Sequence, residues 1–311
     1  MRGSALVTGG NGFVGRHLVN YLKGNGWNVY ACDLTPGEGI NICDITNEND
    51  LEKILEIIDS FTHIFYLSAV TFVPDSIQNP GECFRVNTLA AIKWIERLLT
   101  KNEAPIFVYI STSEVYGSPN YLPVDENHPL NPHNPYSISK SATDLYCQFV
   151  HKQFGFPAVI VRPFNHSGPG QNERFVLSSF AKQFAEMSLG FRDRVLSVGN
   201  LDVERDFLHV LDVVKAYELI ALKCFPGEVY NLCCGRAVSL RYAIDVLKSI
   251  SGIEPDIVID PSKIRRVDVN CIYGTHEKLS SHVGWYPTFT VEDILRDLYG
   301  YWLKALCDCA F

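Results

Sequence analysis

The sequence lacks the features that mark several classes of protein. Its longest apolar run, residues 63–73, is too short to span a bilayer, so we expect that the protein does not span a membrane. Cys-x-x-Cys pairs, His-Glu-x-x-His and Cys/His clusters at zinc spacing are all missing, and we expect no metal site. Lys and Arg (27) are outnumbered by Asp and Glu (35), and the net charge of −8 argues against nucleic-acid binding. The ten cysteines are scattered, which favours reduced thiols in a cytoplasmic protein.

The first half of the chain alternates between strand-like and helix-like spacing of its apolar residues. Strands are predicted at 4–8, 28–33, 63–67, 106–111 and 158–162, and helices at 12–23, 51–60, 82–99 and 136–154. Strand and helix therefore follow each other in turn. This order predicts an α/β fold, a doubly wound parallel sheet with helices on both faces.

The regular alternation ends at Pro163. Beyond it, helices are predicted at 176–189, 210–224, 240–251 and 291–306, with short strands, one of them at 205–209, and Gly/Pro turns between them. We expect two units: a main domain of residues 1–164 with about 205–235, and a smaller, interrupted α/β lobe of residues 165–204 with about 236–311. The lobe should cover the carboxyl ends of the main strands, where open α/β sheets bind ligands.

A glycine-rich turn follows the first predicted strand and opens the first predicted helix. It reads Thr8-Gly9-Gly10-Asn11-Gly12-Phe13-Val14-Gly15. Gly9 permits the tight turn, Gly12 lets backbone approach a pyrophosphate, and Gly15 lets the helix pack closely on the strand. The helix N-terminus supplies N–H groups and a partial positive charge to the phosphates. The turn therefore predicts a dinucleotide-binding (Rossmann) domain, whose cofactor contacts we assign to Gly9, Asn11, Gly12, Phe13, Val14 and Gly15.

The rest of the cofactor site is predicted at the ends of neighbouring strands. Asp33 ends the second strand, where a carboxylate accepts hydrogen bonds from an adenosine ribose and repels a 2′-phosphate. NAD(H) is therefore favoured, with NADP(H) as the alternative. The remaining assigned residues are Asp44 and Ile45 over the adenine, Leu67, Ser68 and Ala69 under the pyrophosphate, and Pro163.

Tyr136 and Lys140 are four residues apart in a predicted helix, so their side chains share a face. Free tyrosine titrates near pH ~10. A nearby ammonium and the positive nicotinamide of an oxidised cofactor favour the phenolate and lower that pKa. The pair predicts acid–base catalysis at a carbonyl or alcohol, with Lys140 also donating to the nicotinamide ribose. Thr112, at the end of the strand 106–111, is predicted to hydrogen-bond the reacting oxygen.

Together these motifs resemble the extended short-chain dehydrogenase/reductases. The resemblance rests on Thr-Gly-x-x-Gly-Phe-x-Gly at 8–15, the hydroxyl cluster before Val115-Tyr116-Gly117, and Tyr-x-x-x-Lys at 136–140, and it covers essentially the whole chain. It implies an NAD(P)-dependent enzyme acting on a nucleotide-diphosphate sugar, which the smaller lobe would bind. It also implies a homodimer formed through helices 82–99 and 136–154.

Within that family, segments 162–171, 175–176 and 198–201 most resemble the reductases of GDP-4-keto-6-deoxy-D-mannose, which make GDP-D-rhamnose. The resemblance implies that Arg205 and Arg265 contact phosphates, and guanidinium forks suit phosphate oxygens. Asp268 is implied to bind a ribose hydroxyl. The full set of implied substrate contacts is Thr71, Asn165, Val176, Lys182, Asn200, Arg205, Arg265 and Asp268.

Glu114 leaves an alternative open. Thr112-Ser113-Glu114 also matches the Thr-Ser-Glu of the GDP-mannose 4,6-dehydratases, in which the Glu is the base at C5 and assists loss of water from C6. Ketone reduction needs no such carboxylate, so Glu114 is assigned to the catalytic residues with its role, bystander or base, left open. The basic stretch expected after the second strand of NADP-using dehydratases is absent, and the reductase is favoured over the dehydratase and a 4-epimerase. A non-catalytic dinucleotide sensor is disfavoured because both Tyr136 and Lys140 are present.

Overall fold

The computed structural model describes residues 2–264 and 269–308. Its strands are β1 (Ser4–Thr8), β2 (Asn28–Asp33), β3 (Ile40–Ile42), β4 (His63–Tyr66), β5 (Ile106–Ile110), β6 (Ala158–Pro163), β7 (Asn165–Ser167), β8 (Val195–Val198), β9 (Glu204–Arg205), β10 (Phe207–His209), β11 (Val229–Leu232), β12 (Val238–Ser239), β13 (Asp256–Ile259) and β14 (Cys271–Ile272). Its helices are α1 (Phe13–Gly24), α2 (Glu48–Glu56), α3 (Val73–Gln78), α4 (Pro80–Phe84), α5 (Ala90–Leu98), α6 (Pro135–Phe154), α7 (Val176–Ser188), α8 (Val210–Lys223), α9 (Leu240–Ser251), α10 (Glu277–Val283) and α11 (Val291–Asp308).

Seven strands form one parallel sheet in the order β3–β2–β1–β4–β5–β6–β11. The chain builds outward from β1 to β3 and then starts again on the other side of β1 with β4. This reversal opens a crevice at the carboxyl ends of β1 and β4, where doubly wound sheets bind ligands. The glycine turn after β1 and residues 67–69 after β4 both lie at this crevice.

Helices cover both faces of the sheet, as the sequence predicts. One apolar core lies between the sheet and α1, α8 and α10, and a second lies between the sheet and α2, α5 and α6. Neighbouring β1 residues Leu6 and Val7 belong to opposite cores, because side chains alternate between faces along a strand. The predicted α/β fold is confirmed.

A third core lies apart from the sheet, among α7, α9 and α11. Phe184, Leu247 and Leu298 are fully buried there, and the parallel pair β8–β13 lies beside it. The division of the chain into two domains stays a prediction. Within residues 2–264 and 269–308, no helix is long and apolar enough to cross a membrane.

The predicted helix 82–99 begins earlier and is irregular. It starts at Pro80, and the side chain of Asn79 caps it by accepting from the Glu82 N–H at 3.3 Å. Between α4 and α5, residues Arg85–Leu89 form a π-helical segment. A π segment inserts an extra residue into a helical turn. Here it carries Asn87, which is buried and forms hydrogen bonds away from its own helix.

The predicted strand 205–209 is two strands. β9 pairs with β12 and β14, whereas β10 pairs with β7. Asp206 lies between them, fully buried, and its carboxylate accepts from the N–H groups of Cys234 at 2.6 Å and Gly235 at 2.8 Å. The buried Asp206 side chain therefore joins the junction of β9 and β10 to the loop that follows β11.

Candidate active site

The glycine turn brings α1 close to the end of β1. Gly9 has φ +70°, and a Cβ there would lie 2.9 Å from the Ser68 backbone nitrogen. A Cβ on Gly15 would lie 2.0 Å from the Gly9 carbonyl oxygen, which is an impossible contact. The Gly12 N–H donates to the same carbonyl at 3.1 Å. The turn therefore admits no side chain at Gly9 or Gly15, and Gly12, Phe13 and Val14 open α1 beside the crevice.

Asp33 ties the glycine turn to the end of β2. One carboxylate oxygen accepts from the Asn11 N–H at 3.0 Å, and the other accepts from the Thr35 N–H and hydroxyl, both at 3.1 Å. The Asn11 amide in turn donates to the Thr35 hydroxyl and to the Pro36 carbonyl, both at 3.0 Å. Asp33 stays half-exposed at the end of β2.

The opposite wall of the crevice is held by two buried side chains. The Thr8 hydroxyl accepts from the N–H groups of Leu67 at 3.2 Å and Ser68 at 3.3 Å. Asn87 accepts from the Val70 N–H at 2.8 Å and donates to the Val70 carbonyl at 3.0 Å. Residues 67–70, which include Ala69, are thereby fixed beside the glycine turn. No specific role for Asn87 is predicted from the sequence.

Asp44 and Ile45 follow β3 at the side of the crevice. Asp44 accepts from the Thr46 N–H at 2.9 Å, and the buried Ile45 has its carbonyl bonded by the Trp94 indole N–H at 3.1 Å. Both residues therefore sit on a backbone that is anchored to α5.

Tyr136 and Lys140 lie together near the start of α6. Asn134 caps this helix by accepting from the Ser137 N–H at 2.8 Å, and Pro135 occupies its first position. Tyr136 is 9% exposed and Lys140 is 3% exposed. The Lys140 ammonium lies 4.5 Å from the centre of the Tyr109 ring on β5. The predicted pair is therefore buried between α6 and the sheet.

The pKa of Tyr136 is raised in the protein, whereas the sequence predicts that it is lowered. Burial raises the pKa of Tyr136, the nearby charge of Glu114 raises it further, and a hydrogen bond with Thr112 acts in the opposite sense. Burial also lowers the pKa of Lys140 to about 7, although Cys147 and Asp144 counteract part of this effect. In the protein alone, burial and the charge of Glu114 therefore determine the direction in which the pKa of Tyr136 is shifted. Tyr136 is therefore a neutral proton donor.

Thr112 and Glu114 lie in the turn after β5. Thr112 begins the 3₁₀ turn Ser113–Tyr116, and its hydroxyl accepts from the Glu114 N–H at 3.2 Å. The Asn134 amide donates to Glu114 Oε2 at 2.9 Å. The double role of Asn134 was missed from the sequence. The only signal was an Asn-Pro pair at a helix start, which indicates a cap but not a second partner.

A buried ion pair joins α6 to the strand ends behind the site. Arg162 donates to the two Asp144 oxygens at 2.8 and 2.9 Å, and the Ser111 hydroxyl donates to the same carboxylate at 2.8 Å. The Arg162 guanidinium also donates to the Tyr116 hydroxyl at 3.0 Å. The network fixes the carboxyl ends of β5 and β6 against the helix of Tyr136. Pro163 lies buried at the end of β6.

The implied substrate residues are only partly brought together. Thr71 and Asn165 are exposed on the segments that follow β4 and β6. Val176 begins α7, and Phe175 before it packs edge-on against Phe72, with ring centres 5.7 Å apart. Asn200 follows β8 and accepts from the Asp202 N–H at 3.0 Å.

The three implied cationic contacts lie in different surroundings. Lys182 forms ion pairs with Glu173 and Glu186, and its contact with substrate stays a prediction. Arg205 donates to the Val269 carbonyl at 2.6 Å and so holds the segment that follows position 268. Arg265, like Asp268, lies outside the described residues. Among the described residues, no group of His, Cys, Asp and Glu is arranged to hold a metal ion.

The chain is similar to known proteins over nearly its whole length. The family model described as GDP-mannose 4,6 dehydratase matches residues 6–298. A GDP-6-deoxy-D-mannose reductase of Pseudomonas aeruginosa is 34% identical, covering 96% of each chain. A GDP-6-deoxy-D-talose 4-dehydrogenase of Aggregatibacter actinomycetemcomitans is 30% identical, covering 94% of this chain and 96% of that one. The structure of RMD from Pseudomonas aeruginosa complexed with NADPH matches with a TM-score of 0.88 and 32% identity, covering 97% of this chain and 99% of that chain.

Proposed function

Since this chain belongs to the GDP-mannose 4,6-dehydratase family, we propose that it is an NAD(P)H-dependent oxidoreductase that reduces the C4 ketone of a nucleotide-linked 4-keto-6-deoxyhexose. The proposed substrate is GDP-4-keto-6-deoxy-D-mannose and the product GDP-D-rhamnose. The observation that carries the proposal is Tyr136, a buried proton donor bonded to Thr112 at the carboxyl edge of the sheet. The two relatives named above, which are both named as oxidoreductases of GDP-6-deoxyhexoses, support it.

The chain's own residues account for the proton. When bound, the reduced nicotinamide supplies the hydride that adds to C4 of the sugar. Tyr136 donates its phenolic proton to the C4 oxygen as that oxygen gains charge, and the Thr112 hydroxyl donates a hydrogen bond to the same oxygen. Lys140 lies one turn along α6, where its ammonium can stabilise the resulting phenolate until the proton is replaced.

The cofactor is proposed to lie across the crevice between β1 and β4. Its pyrophosphate faces the backbone N–H groups at the start of α1, and its adenosine ribose faces Asp33. The closeness of Asp33 favours NAD(H), because a carboxylate repels a 2′-phosphate. The similar Pseudomonas aeruginosa structure holds NADPH, so both cofactors belong in the assay.

The nucleotide sugar is proposed to lie between the sheet edge and the core formed by α7, α9 and α11. Thr71 would contact it from the main domain, and Asn165, Val176 and Asn200 from the smaller lobe. Arg205, with Arg265 and Asp268, would contact the nucleoside diphosphate, since planar guanidinium groups bind phosphate oxygens in pairs.

A 4,6-dehydratase acting on GDP-mannose is the second candidate. The observation that favours it is the half-buried carboxylate of Glu114 beside Tyr136, where a base at C5 of the sugar would be needed. In that reaction the nicotinamide is oxidised and reduced again within one turnover, so no net cofactor change occurs.

We also infer a homodimer formed through α6 and the 80–98 helical segment. Leu89, Ile138, Leu145 and Phe149 are 42–56% exposed, and the three on α6 share one face of the helix. Light scattering should give twice the chain mass, and Leu145→Glu should give the mass of one chain. Phe225→Glu, a matched change at an exposed residue away from this face, should leave the mass unchanged.

The nine described cysteines are free thiols, which supports a cytoplasmic location.

The decisive experiment compares two substrates. The protein is incubated with GDP-mannose alone, and separately with GDP-4-keto-6-deoxymannose plus NADH or NADPH, while nicotinamide absorbance and product NMR are followed. Nicotinamide oxidation that requires the keto-sugar supports the reductase and gives the cofactor preference. A keto-sugar formed from GDP-mannose without net cofactor change refutes the reductase and supports the dehydratase.

A further inference from the structure

Arg174, which lies just before α7, reaches across to the start of α3. Its guanidinium donates to the two carboxylate oxygens of Asp75 at 2.9 and 2.5 Å. Its Cζ lies 3.8 Å from the centre of the Phe72 ring, and that ring packs edge-on against Phe175. The planar group is therefore held by a carboxylate at its edge and by an aromatic ring on its face. We call Phe72, Asp75, Arg174 and Phe175 the clasp.

The α3 end of the clasp lies beside the proton donor. Val73, the first residue of α3, is 7% exposed and packs with Cys83 and Tyr136 in one small apolar cluster. Val73 directly follows Phe72 and lies two residues before Asp75. The segment that carries this half of the clasp therefore also forms part of the wall around Tyr136.

The α7 end of the clasp is fixed to the third core. The Phe175 carbonyl accepts from the Ser179 N–H at 2.7 Å, and Phe175 thereby stands at the start of α7. Val176, the first residue of α7, packs against the apolar core of α7, α9 and α11. The clasp therefore joins this core to the segment that lies beside Tyr136.

Residues on either side of the clasp, Thr71 and Val176, are both proposed to contact the nucleotide sugar. We propose that Arg174 is a positioning residue for the substrate, which closes the clasp over the sugar and holds its C4 ketone against Tyr136. This inference rests on the proposed function. It gives a role to a side chain for which none is predicted from the sequence.

The clasp is weak enough to open in each turnover. The Arg174 side chain is 47% exposed and that of Asp75 is 42% exposed. Ion pairs and cation–π contacts at exposed sites each contribute little, because water solvates the charges when the contact breaks. Substrate can therefore enter between α3 and α7 and be enclosed afterwards. Loss of the clasp should weaken substrate binding and leave the stability of the fold nearly unchanged.

Steady-state kinetics of GDP-4-keto-6-deoxymannose reduction, at a saturating concentration of the reduced nicotinamide, test this role in Arg174→Met and Asp75→Lys. Met makes neither contact, and Lys places a second positive charge beside Arg174. In both variants KM for the keto-sugar should rise about three- to thirtyfold with kcat within about twofold of the wild type, because binding is lost equally from the ground and transition states. Nicotinamide binding and urea unfolding should match the wild type.

Two further variants provide the control and the rescue. Arg97→Met removes one partner of an ion pair with Glu52 that is exposed to a similar degree but joins α5 to α2, so KM should not change. The double change Asp75→Lys with Arg174→Glu restores an ion pair with its charges exchanged. Its KM should return at least part of the way from that of Asp75→Lys to the wild-type value. A side chain that acts through its bulk alone would give no such recovery.

Each part of the inference can fail separately. An unchanged KM in Arg174→Met removes the role of Arg174. A KM that rises in Arg174→Met but stays the same or falls in Asp75→Lys shows that Arg174 contacts the substrate phosphates directly, which refutes the clasp. A double variant that binds substrate no better than Asp75→Lys refutes it as well. A wild-type protein that does not reduce the keto-sugar refutes the proposed function itself, and the inference falls with it.

Discussion

Replacing Asp144 with leucine would leave a buried guanidinium without its counter-ion. Asp144 is fully buried, and its two oxygens accept from Arg162 at 2.8 and 2.9 Å, from the Ser111 hydroxyl at 2.8 Å and from the Gln148 amide at 2.8 Å. After the change, Arg162 keeps only neutral partners, the Tyr116 hydroxyl among them. These cannot balance a charge that is 3% exposed.

The expected cost is large compared with the stability of a folded protein. Removing one partner of a buried ion pair costs about 3–5 kcal/mol. Native proteins are stable by about 5–15 kcal/mol, so a third or more of the total should be lost. Replacing both charges with apolar side chains of similar volume is often close to neutral. The double change Asp144→Leu with Arg162→Met should therefore recover most of the loss.

Urea unfolding followed by circular dichroism measures these differences. The matched control is Arg174→Met, which removes one partner of the half-exposed ion pair with Asp75 and should cost about 1 kcal/mol or less. The reasoning is refuted if Asp144→Leu unfolds within about 1 kcal/mol of the wild type. It is also refuted if the double variant is no more stable than Asp144→Leu.

Three further outcomes follow from the site. Tyr136→Phe should lose about two to four orders of magnitude in kcat/KM yet bind NADPH normally, because it removes only the proton donor; near-normal turnover would contradict the mechanism. Gly15→Ala should weaken NADPH binding about tenfold or more in a fluorescence titration, whereas Gly24→Ala, whose added Cβ meets nothing within 4 Å, should not. The lowered pKa of Lys140, about 7, means that its charged form destabilises the fold. Lys140→Met should therefore be more stable than the wild type in urea at about pH 6, with the advantage shrinking as pH rises from about 7 toward the ordinary lysine range; an advantage that grows with pH would exclude this.

The parts of the site that the sequence predicts are local. A strand–turn–helix with three spaced glycines, and a Tyr and a Lys four residues apart, take their geometry from the backbone itself. What the sequence missed depends on partners in other elements of the chain. The contact of Asn87 with Val70, and that of Asn134 with Glu114, appear only when loops are packed against helices.

The same distinction between local and distant contacts explains which elements of the fold can be predicted. The long buried strands and helices have clear hydrophobic periodicity, and their bounds are predicted to within a few residues. β3 has only three residues, all at least partly exposed, so its short pattern gives no signal. β7 and β10 are three residues each and pair across about forty residues of intervening chain, a contact that no local pattern encodes.

Because of the π-helical segment Arg85–Leu89, the fold should be more sensitive to the number of residues in this stretch of chain than to their identity. Removing one residue would let the helix return to the regular repeat, and everything on one side would rotate by about 100° relative to the other. Cys83 and Trp94 lie on opposite sides of the segment, and both are fully buried. One of them would have to turn out of its contacts. Insertions and deletions, which loops usually accept, should therefore be rejected at this point inside a helix, while many single substitutions on its exposed side would be tolerated.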